Sequence, residues 1–467
     1  MRKSVTDTAV FSNINAINDL KLAPIEYRDP ATLTRYEGKL RKLRTKQISK
    51  LSSSMANFGF INPIIVDGDG VIIAGEARHE AALQLGLTGV PVIQIDHLSP
   101  AERRAFRIAD NKLAEEGRWD TEALIVEIES LLVLDDVSIE LTGFHSAEID
   151  VMLFGTPSVG DKSDPADLLP EIPAVPTSEL GDIWTLGEHR LLCGTSLDAG
   201  SWDLLMCGES AAHAFVDPPY NVKIANNVSG LGKVRHGEFA MASGEMSRAE
   251  FTAFNVSWLS AMLPHCKDGA IIDICIDWRH VGELQEAIRT SGLHLLNICV
   301  WSKTNASNGA MYRSQHEFVF IAKKGTAPHV NNIQLGKYGR YRTNVWSYPG
   351  ANSFGASRMD DLAAHPTVKP VGLVADAIRD VSNKGQIVLD AFMGSGTTIL
   401  AAERTRRRAR GIEIEPAYVD VAIARWQKQT GRDALLAETG EAFDEVSRRR
   451  AAAASPDDDV IADAAAR

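Results

Sequence analysis

Short apolar runs alternate with helical patterns along the second half of the chain. Apolar runs of this kind are typical of strands that are buried on both faces of a sheet. The helical pattern of Trp278–Arg289 separates two of the runs, as a parallel β-α-β unit requires. We therefore predict an α/β domain with a parallel sheet. Its predicted strands are 214–216, 270–276, 295–301, 318–321, 386–390 and 409–414.

The first part of the chain has a different order of elements. A helical period covers Lys46–Met55, and the turn Asp67–Gly70 joins two short apolar runs into a predicted hairpin. A second helix opens at Gly75, and a helical period returns from Pro100 to about Leu153. This order predicts a small α+β domain that is followed by a helical extension.

Composition marks the domain boundaries. Periodicity is lost between residues 155 and 180, where Pro, Ser, Asp and Gly accumulate as in a flexible linker. After the helix Tyr418–Lys428 the chain becomes polar and low in complexity, which predicts a disordered end. The predicted segments are 1–98 (α+β domain), 99–154 (helical extension), 155–180 (linker), 181–435 (α/β domain) and 436–467 (disordered tail).

Overall composition bounds the class of protein. The chain has 467 residues, 45% of them hydrophobic and 24% charged, which is ordinary for a globular protein with more than one domain. No apolar run approaches the roughly 20 residues of a membrane span, so we expect a cytoplasmic protein without membrane contact. The five cysteines form no Cys-x-x-Cys pair, and no metal site is expected. The net charge of −12 weighs mildly against a nucleic-acid partner, although an acidic body can carry a basic cleft.

The stretch Asp217-Pro218-Pro219-Tyr220 carries the first candidate chemistry. It follows the apolar run 214–216, which puts Asp217 at the C-terminal edge of a strand, where open α/β sheets place their sites. The prolines fix the backbone, and their carbonyls stay available as acceptors. A carboxylate, a rigid carbonyl and an aromatic face suit a planar group with an NH2, such as a nucleobase. The plainer interpretation is a strand followed by a Pro-Pro turn.

A second candidate site lies far downstream. The strand 386–390 leads into a Gly-x-Gly turn at Gly394–Gly396 and then a helix, an arrangement that offers N–H groups and the positive end of the helix to a ligand. No lysine follows the second glycine and no third glycine is present, so neither a P-loop nor a dinucleotide fingerprint is matched. Glu413 ends the next strand about twenty residues later, the position of a ribose-hydroxyl acceptor. A nucleoside without a phosphate tail, such as S-adenosyl-L-methionine, fits this pattern.

These motifs resemble those of the amino-methylating DNA methyltransferases. Their order, with the Asp-Pro-Pro-Tyr motif first and the cofactor loop last, is similar to that of the circularly permuted β-type enzymes, and it implies a doubly wound, Rossmann-like methyltransferase sheet. The resemblance implies that Asp217 and the Pro218 carbonyl accept from the target amino group and that Tyr220 stacks on a flipped base. The segments 301–303 and 312–317 resemble weaker family motifs around the target pocket. Cofactor contacts are implied for Asp390, Phe392, Gly394, Ser395, Gly396, Thr397, Thr398, Glu413, Thr367 and Lys369.

The stretch Gly75-Glu76-Ala77-Arg78 resembles the box of the ParB and sulfiredoxin group, which binds nucleotide phosphates or acts on DNA. An arginine beside a glycine turn at a helix start is suited to bind phosphate. Gly75, Glu76 and Arg78 are therefore candidate nucleotide-binding or phosphate-binding residues. The alternative is that Glu76 and Arg78 only stabilise the helix start and the surface. The helix-turn-helix of the partition proteins is not clearly matched, and this disfavours a partition role.

Two stretches without a clear period, 221–245 and 325–361, combine basic residues with amides and aromatics, as DNA-binding surfaces do. In 221–245 each basic residue alone is better interpreted as a solvated charge, and the alternative for 325–361 is an ordinary surface insertion. The expected partners are double-stranded DNA, a nucleotide at the N-terminal domain and a second copy of the chain in a homodimer. The candidate DNA contacts are Lys223, Arg235, Arg340 and Arg342.

Together these patterns predict a site-specific DNA methyltransferase of the kind found in restriction–modification. Asp at the first position of the catalytic motif favours adenine in the family, whereas Ser favours cytosine. One alternative is therefore an N-4 cytosine DNA methyltransferase. Another is a ParB-like segregation protein whose methyltransferase half does not catalyse. An RNA or protein methyltransferase is disfavoured by Asp217.

Overall fold

The computed structural model of the protein describes residues 23–38, 43–133, 139–155, 164–222, 242, 244–304, 306, 311–333, 341–350 and 368–454. The chain divides into two compact units, Met1–His145 and Ser146–Arg467. Within the described ranges, each helix is too short or too polar to cross a membrane.

A four-stranded sheet forms the core of the first unit. Its strands are β1 (Ile25–Arg28), β2 (Ile64–Val66), β3 (Ile72–Ala74) and β4 (Val90–Gln94), in the order β1-β4-β2-β3. β2 pairs antiparallel with β3, which confirms the predicted hairpin, and β4 runs parallel to β2. The helices of this unit are α1 (Thr45–Phe58), α2 (Glu76–Gln84), α3 (Pro100–Glu116) and α4 (Thr121–Val133).

A mixed sheet forms the second unit, and helices cover both of its faces. The strands are β5 (Ile183–Leu186), β6 (His189–Cys193), β7 (Ala211–Val216), β8 (Cys266–Ile276), β9 (His294–Lys303), β10 (His316–Lys323), β11 (Val345–Tyr348), β12 (Ile387–Asp390), β13 (Arg408–Glu413) and β14 (Leu435–Leu436). Over the described residues their order in the sheet is β11-β9-β10-β8-β7-β12-β13-β6-β5-β14. The helices are α5 (Ser146–Phe154), α6 (Ala199–Met206), α7 (Arg248–Met262), α8 (Val281–Thr290), α9 (Val371–Val381), α10 (Thr397–Thr405), α11 (Pro416–Thr430) and α12 (Phe443–Ala454).

Two hydrophobic clusters show how this sheet is covered. One cluster contains buried side chains of α9, α10 and α11, and the other contains those of α6, α7 and α8. Apolar residues from the strands contribute to both clusters, because alternate side chains of a strand point to opposite faces. This doubly wound α/β arrangement, preceded by a small α+β unit, confirms the predicted fold class.

The sheet is not parallel throughout. β6, β13, β12, β7 and β8 are parallel neighbours, but β10 pairs antiparallel with both β8 and β9. The prediction of a parallel strand at 318–321 is therefore wrong, whereas the predicted strand at 295–301 pairs parallel with β11. These two runs have no helical pattern between them, and consecutive strands without a crossover helix pair antiparallel.

The chain order reverses between β7 and β12. From β7 the chain continues to β8 on one side, whereas from β12 it continues to β13 on the other side. In open α/β sheets such a switch point leaves a crevice at the C-terminal ends of the strands. Because β7 and β12 are parallel neighbours, residues that follow β7 and residues that follow β12 meet at this crevice.

The second half of the predicted linker is docked on the second unit. The Asp167 carboxylate accepts a hydrogen bond from the Val371 backbone N–H at 2.8 Å, and the Asp420 carboxylate accepts from the backbone N–H groups of Thr177 and Ser178 at 2.5 and 3.0 Å. Residues 164–180 are thus part of this unit, which corrects the predicted extent of the linker.

The predicted tail is ordered as far as Ala454. β14 pairs with β5, and α12 packs against the same edge, where Val446 is fully buried and the Phe443 ring meets the Trp184 ring edge-on at 5.2 Å. Arg450 donates to both carboxylate oxygens of Asp182, at 2.5 and 2.9 Å. The sequence did not reveal this helix because so few apolar residues mark its buried face.

A chain that ends at Leu436 is expected to unfold at a lower temperature than the full chain. It loses the burial of Val446 and Phe443, and burying one side chain of this size contributes about 1.5–3 kcal/mol. A loss of 1 kcal/mol lowers the melting temperature of a domain of this size by roughly 2–4 °C. Differential scanning fluorimetry measures the shift. A chain that ends at Ala454 keeps α12 and is the control; equal melting of the two truncated chains would contradict the assigned packing.

Candidate active site

Three carboxylates lie at the C-terminal ends of three neighbouring parallel strands. Asp217 follows β7, Asp390 ends β12 and Glu413 ends β13. Asp217 is close enough to raise the pKa of Asp390, which adds to the effect of burial on that group. The switch point of the sheet therefore brings the predicted catalytic motif next to the predicted cofactor loop, although the two are far apart in the sequence.

Both carboxylate oxygens of Asp217 accept hydrogen bonds. The Tyr220 hydroxyl donates to Oδ1 at 2.6 Å, and Lys369 Nζ donates to Oδ2 at 2.6 Å. Lys369 is only 4% exposed, whereas a quarter of the Asp217 side chain remains accessible. The structure thus places Lys369, which was predicted to contact the cofactor, against the predicted catalytic carboxylate.

Glu317 and Lys303 complete this cluster. Glu317 Oε2 accepts from the Tyr220 hydroxyl at 3.1 Å and from Lys369 Nζ at 3.1 Å, while Lys303 Nζ donates to Glu317 Oε1. Both residues lie in the segments 301–303 and 312–317 that resemble motifs around the target pocket, but neither was predicted individually as a site residue. An acid at the start of the apolar run of β10 was the available signal, because buried carboxylates are rare unless they are paired.

The pKa values of the cluster follow from burial and charge pairing. Burial opposes the ionisation of Glu317, but Lys369 and Lys303 outweigh it and lower the pKa of Glu317 to about 2. Burial also opposes the charge on Lys369, but Asp217 and Glu317 raise the pKa of Lys369 well above its usual value. Burial raises the pKa of Asp217, against the opposing effect of Lys369. Of the two acids, Asp217 is therefore the one whose charge is less stabilised.

The cofactor edge carries two more buried carboxylates. Asp390 accepts from the Phe392 backbone N–H at 3.0 Å and from the Thr398 hydroxyl at 2.6 Å. Burial nevertheless raises the pKa of Asp390 to about 7. Glu413 accepts from the backbone N–H groups of Gly394 at 2.7 Å and Glu415 at 2.9 Å, and burial raises its pKa as well.

The loop Gly394–Gly396 connects β12 to α10 and depends on its glycines. Both glycines have positive φ, 52° and 84°, which glycine adopts without strain. A Cβ at Gly396 would lie 2.7 Å from the Ala422 Cβ in α11, whereas a Cβ at Gly394 would meet no atom closer than the Phe392 carbonyl oxygen at 4.0 Å. The loop is therefore tightly packed on one side and leaves open space on the other.

Arg425 in α11 supports this loop. Its Nη1 donates to the Ser395 carbonyl at 2.6 Å and to the Ser395 hydroxyl at 2.9 Å, and it also reaches the Thr397 hydroxyl at 3.4 Å. The side chains of Ser395 and Thr397 thus face a supporting arginine. Arg425 was not predicted as a site residue, although a charged residue within the apolar pattern of its helix was a usable signal.

The groups at this edge fit S-adenosyl-L-methionine. That molecule carries ribose hydroxyls, which need acceptors, and positively charged sulfonium and amino groups, which favour nearby carboxylates. Glu413 and Asp390 supply buried carboxylate oxygens that retain acceptor capacity. Their raised pKa values mean that both charges lack sufficient stabilisation, which a cationic ligand would supply.

Residues 211–424 match the family model described as DNA methylase. This part of the chain is a DNA methylase domain. The match includes both the Asp217–Tyr220 motif and the loop Gly394–Gly396, and it confirms the predicted family and its cofactor, S-adenosyl-L-methionine. Residues 25–112 match the ParB N-terminal domain, which confirms the second predicted resemblance.

Relatives of the methylase domain include two bacterial type II methyltransferases. The chain is 27% identical over 226 residues to the type II methyltransferase M2.MboI of Moraxella bovis, covering 46% of this chain and 80% of that protein. It is 28% identical over 232 residues to M2.DpnII of Streptococcus pneumoniae, covering 47% of this chain and 84% of that protein. Among solved structures, the cytosine-N4-specific PvuII DNA methyltransferase superposes with a TM-score of 0.41 at 18% identity, over 59% of this chain and 94% of that one.

The tract before the methylase domain corrects one prediction. Residues 122–180 match the model of a ParB-methyltransferase HTH domain, whereas no clear helix-turn-helix was predicted from the sequence. The described part of this tract contains α4, α5 and the docked segment 164–180. Single-sequence patterns predicted its helices, but a helix-turn-helix is defined by the angle between helices, which periodicity does not show.

One predicted DNA contact, Arg342, lies elsewhere than expected. The Arg342 side chain is only 8% exposed, and its guanidinium donates to Asp380 and to the Tyr348 hydroxyl, both at 2.9 Å. This placement corrects the predicted DNA contact of Arg342, because the side chain is committed to the interior. Thr367, Lys223, Arg235 and Arg340 lie outside the described residues.

In the first unit, Gly75 caps the start of α2 with a φ of 103°, and Arg78 folds back over it. Arg78 Nη2 donates to the Pro63 carbonyl at 3.2 Å, while its buried Nε has no protein partner among the described residues. Glu76 lies in the first turn, where its charge complements the helix dipole. The three residues of the predicted box therefore come together at one helix start.

The affinity of the methylase domain for S-adenosyl-L-methionine is expected to fall as the pH drops below about 7. The pKa of Asp390 is raised to about 7, so the carboxylate gains a proton there and loses its attraction for a cationic ligand. Coupling to one proton weakens binding by up to about tenfold per pH unit. Titration calorimetry from pH 8.5 to 5.5 measures this slope. Asp390→Asn should bind more weakly with a flatter profile, and a flat wild-type profile would contradict the role of Asp390.

Proposed function

We propose that the methylase domain transfers a methyl group to the exocyclic amino group of adenine in double-stranded DNA. S-adenosyl-L-methionine supplies the methyl group when it is bound. The observation that carries this proposal is the position of the Asp217–Tyr220 motif at the end of β7, beside the carboxylates that end β12 and β13. A base held by the Asp217–Tyr220 motif and a methyl donor held by the carboxylates of β12 and β13 would meet at one edge of the sheet.

Each residue of the motif has a defined role in the proposed reaction. Asp217 and the Pro218 carbonyl accept the two amino hydrogens, which orients the nitrogen lone pair towards the methyl group, and Pro219 keeps this backbone rigid. The Tyr220 ring offers a stacking face to the flipped base. Burial keeps the pKa of the Tyr220 hydroxyl well above its usual value, so that this hydroxyl remains a donor. Positioning and charge placement supply most of the rate gain.

Adenine is proposed rather than cytosine because Asp stands at the first position of the motif. The purified protein is incubated with S-adenosyl-L-methionine tritiated in the methyl group and with unmethylated genomic DNA, which is then digested to nucleosides. Labelled N-6-methyladenine supports the full proposal. Labelled N-4-methylcytosine would support methyl transfer to an amino group but refute adenine as the target base. Unlabelled DNA, with cofactor binding intact, would refute methyl transfer to DNA.

A second proposal concerns the ParB-like unit, which we infer binds a nucleotide through Gly75, Glu76 and Arg78. It is supported by the positive φ of Gly75 at the start of α2 and by the Arg78 Nε that lacks a protein partner among the described residues. A helix start beside a guanidinium attracts phosphate. Calorimetry with each of the four ribonucleoside triphosphates tests this, with Arg78→Ala as the comparison. Equal affinity of the wild type and this variant would refute the role of Arg78.

Cytoplasmic location and assembly as a homodimer complete the proposal. The cytoplasmic location follows from the DNA substrate, and it agrees with five cysteines that form no disulfide in the structure. Sedimentation velocity at several protein concentrations tests the second.

A further inference from the structure

The two groups that donate to Asp217 already have a second acceptor. Lys369 Nζ lies 2.6 Å from Asp217 Oδ2 and 3.1 Å from Glu317 Oε2. The Tyr220 hydroxyl lies 2.6 Å from Asp217 Oδ1 and 3.1 Å from the same Glu317 oxygen. Glu317 therefore faces both donors at hydrogen-bond distance, although it is far from Asp217 in the sequence.

The Asp217 carboxylate is poorly available to a substrate in this arrangement. A bond from an ammonium group is charge-assisted, and it is stronger than a bond from the neutral amino group of a base. Positive charge also develops on the amino nitrogen as it gains a methyl group, and a cation on the same carboxylate opposes that charge. Asp217 can serve the reaction better if Lys369 moves away from it.

The surroundings of Glu317 suit it to receive this cation. Its backbone is fixed in β10, where it pairs with Trp301 of β9. Lys303 binds its other oxygen and lies 4.5 Å from the centre of the Trp301 ring. This second lysine keeps Glu317 ionised without occupying Oε2, the oxygen that faces Lys369.

We propose that Glu317 is a positioning residue that takes over Lys369 and the Tyr220 hydroxyl when the target amino group enters, and so frees Asp217 to accept from that group. This inference rests on the proposed function. Glu317 acts through Lys369 and Tyr220 and does not touch the reacting atoms. It adds to the Asp217–Tyr220 motif a carboxylate that comes from a different strand, β10.

The first test is the single-turnover rate of methyl transfer by Glu317→Gln, with excess protein over unmethylated genomic DNA. We expect the rate to fall by at least about 10²-fold, because the neutral amide leaves Lys369 on Asp217. The dissociation constants for S-adenosyl-L-methionine and DNA should change by less than about threefold, since neither binding step needs the transfer of Lys369. Glu283→Gln is the control, because Glu283 is also 8% exposed and pairs with an arginine outside the cluster. A Glu317→Gln rate near that of the control would overturn the proposal.

The double variant Glu317→Gln/Lys303→Met separates this role from simple charge balance. It leaves Asp217 and Lys369 as one neutral pair, and it removes the lysine that Glu317 would otherwise neutralise. If Glu317 only balances charge, the double variant regains activity. The proposal expects the rate to stay as low as in Glu317→Gln, and recovery would overturn it. The melting temperatures of the variants show that each is folded.

A crystal structure with an oligonucleotide that carries the mapped site gives a readout independent of rate. Lys369 Nζ is expected within about 3.2 Å of Glu317 and beyond about 4 Å from Asp217. A Lys369 that stays on Asp217 while the flipped base is bound would overturn the inference. Wild-type protein that labels no DNA would instead refute the proposed function, so the two failures are distinguishable.

Discussion

Asp217→Ala is expected to lose methyl transfer by a factor of about 10²–10³ or more, the range seen when a single preorganised group is removed from an active site. The substitution removes the acceptor that orients the amino group, and it also leaves Lys369 without its nearest counter-charge. S-adenosyl-L-methionine binding should remain, because the groups assigned to the cofactor belong to β12, β13 and the loop Gly394–Gly396. Tritium transfer measures the first effect and calorimetry the second.

The cluster itself explains why this variant is expected to fold. Lys369 and the Tyr220 hydroxyl both keep Glu317 as an acceptor at 3.1 Å, so the loss of Asp217 leaves neither of them buried without a partner. Asp203→Ala removes an aspartate that lies on the exposed side of α6, and it should transfer methyl groups at close to the wild-type rate. If Asp217→Ala retained a comparable rate, the catalytic assignment would be refuted. If it lost cofactor binding as well, the separation of the two sites would be refuted.

The motifs of the site could be predicted from the sequence because each is contiguous. Each motif combines a strand end with residues of special backbone geometry: Asp217-Pro218-Pro219-Tyr220 in one case and the loop Gly394–Gly396 in the other. Such local patterns can be recognised without knowing the tertiary contacts. The antiparallel pairing of β10 was missed because the apolar pattern of a buried strand carries no information about its direction.

The supporting residues of the site could not be predicted in the same way. Glu317 meets Lys369 and Tyr220 only because the registers between β10 and β8 and between β8 and β7 carry it to the end of β7. Arg425 reaches the cofactor loop from a helix that follows that loop by many residues. Both contacts depend on side-chain directions across the sheet. A single sequence shows that an acid or an arginine interrupts an apolar pattern, but it does not show the partner.

Asp150, Lys384 and Arg407 form a buried charge cluster. Asp150 belongs to α5, which lies in the tract that matches the HTH model. Asp150 accepts from Lys384 Nζ at 2.7 Å and from Arg407 Nη2 and Nη1 at 2.9 and 3.2 Å. The side chains of Asp150 and Arg407 are completely buried. Burial opposes the charge on Asp150, but Arg407 and Lys384 outweigh it and lower the pKa of Asp150. One carboxylate thus holds two interior cations and ties α5 to the chain just before β13.

Asp150→Ala is therefore expected to lower the free energy of unfolding by about 3–5 kcal/mol, the usual effect of leaving a buried charge without its partner. The loss should be smaller at pH 9 than at pH 7. Burial already lowers the pKa of Lys384 to about 8 against the opposing pull of Asp150, and without Asp150 that pKa falls further. Between the folded-state and unfolded-state pKa values of Lys384, the unfolded chain binds more protons, so the free energy of unfolding rises with pH. Because this range begins at a lower pH in the variant, the variant gains more stability between pH 7 and pH 9 than the wild type does. Urea unfolding at both pH values measures the two losses.

Glu209→Ala is the matched control for this cluster. Glu209 also binds two cations, Arg408 at 2.7 Å and Arg410 at 2.8 Å, but its side chain is 35% exposed. Water can replace the lost carboxylate there, so the expected cost is about 1 kcal/mol or less. Equal losses in the two variants would show that burial does not set the strength of the Asp150 cluster. If Asp150→Ala loses a large and pH-dependent part of the free energy of unfolding and Glu209→Ala does not, buried charges hold α5 to the methylase domain. Separating those charges would then unfold the domain.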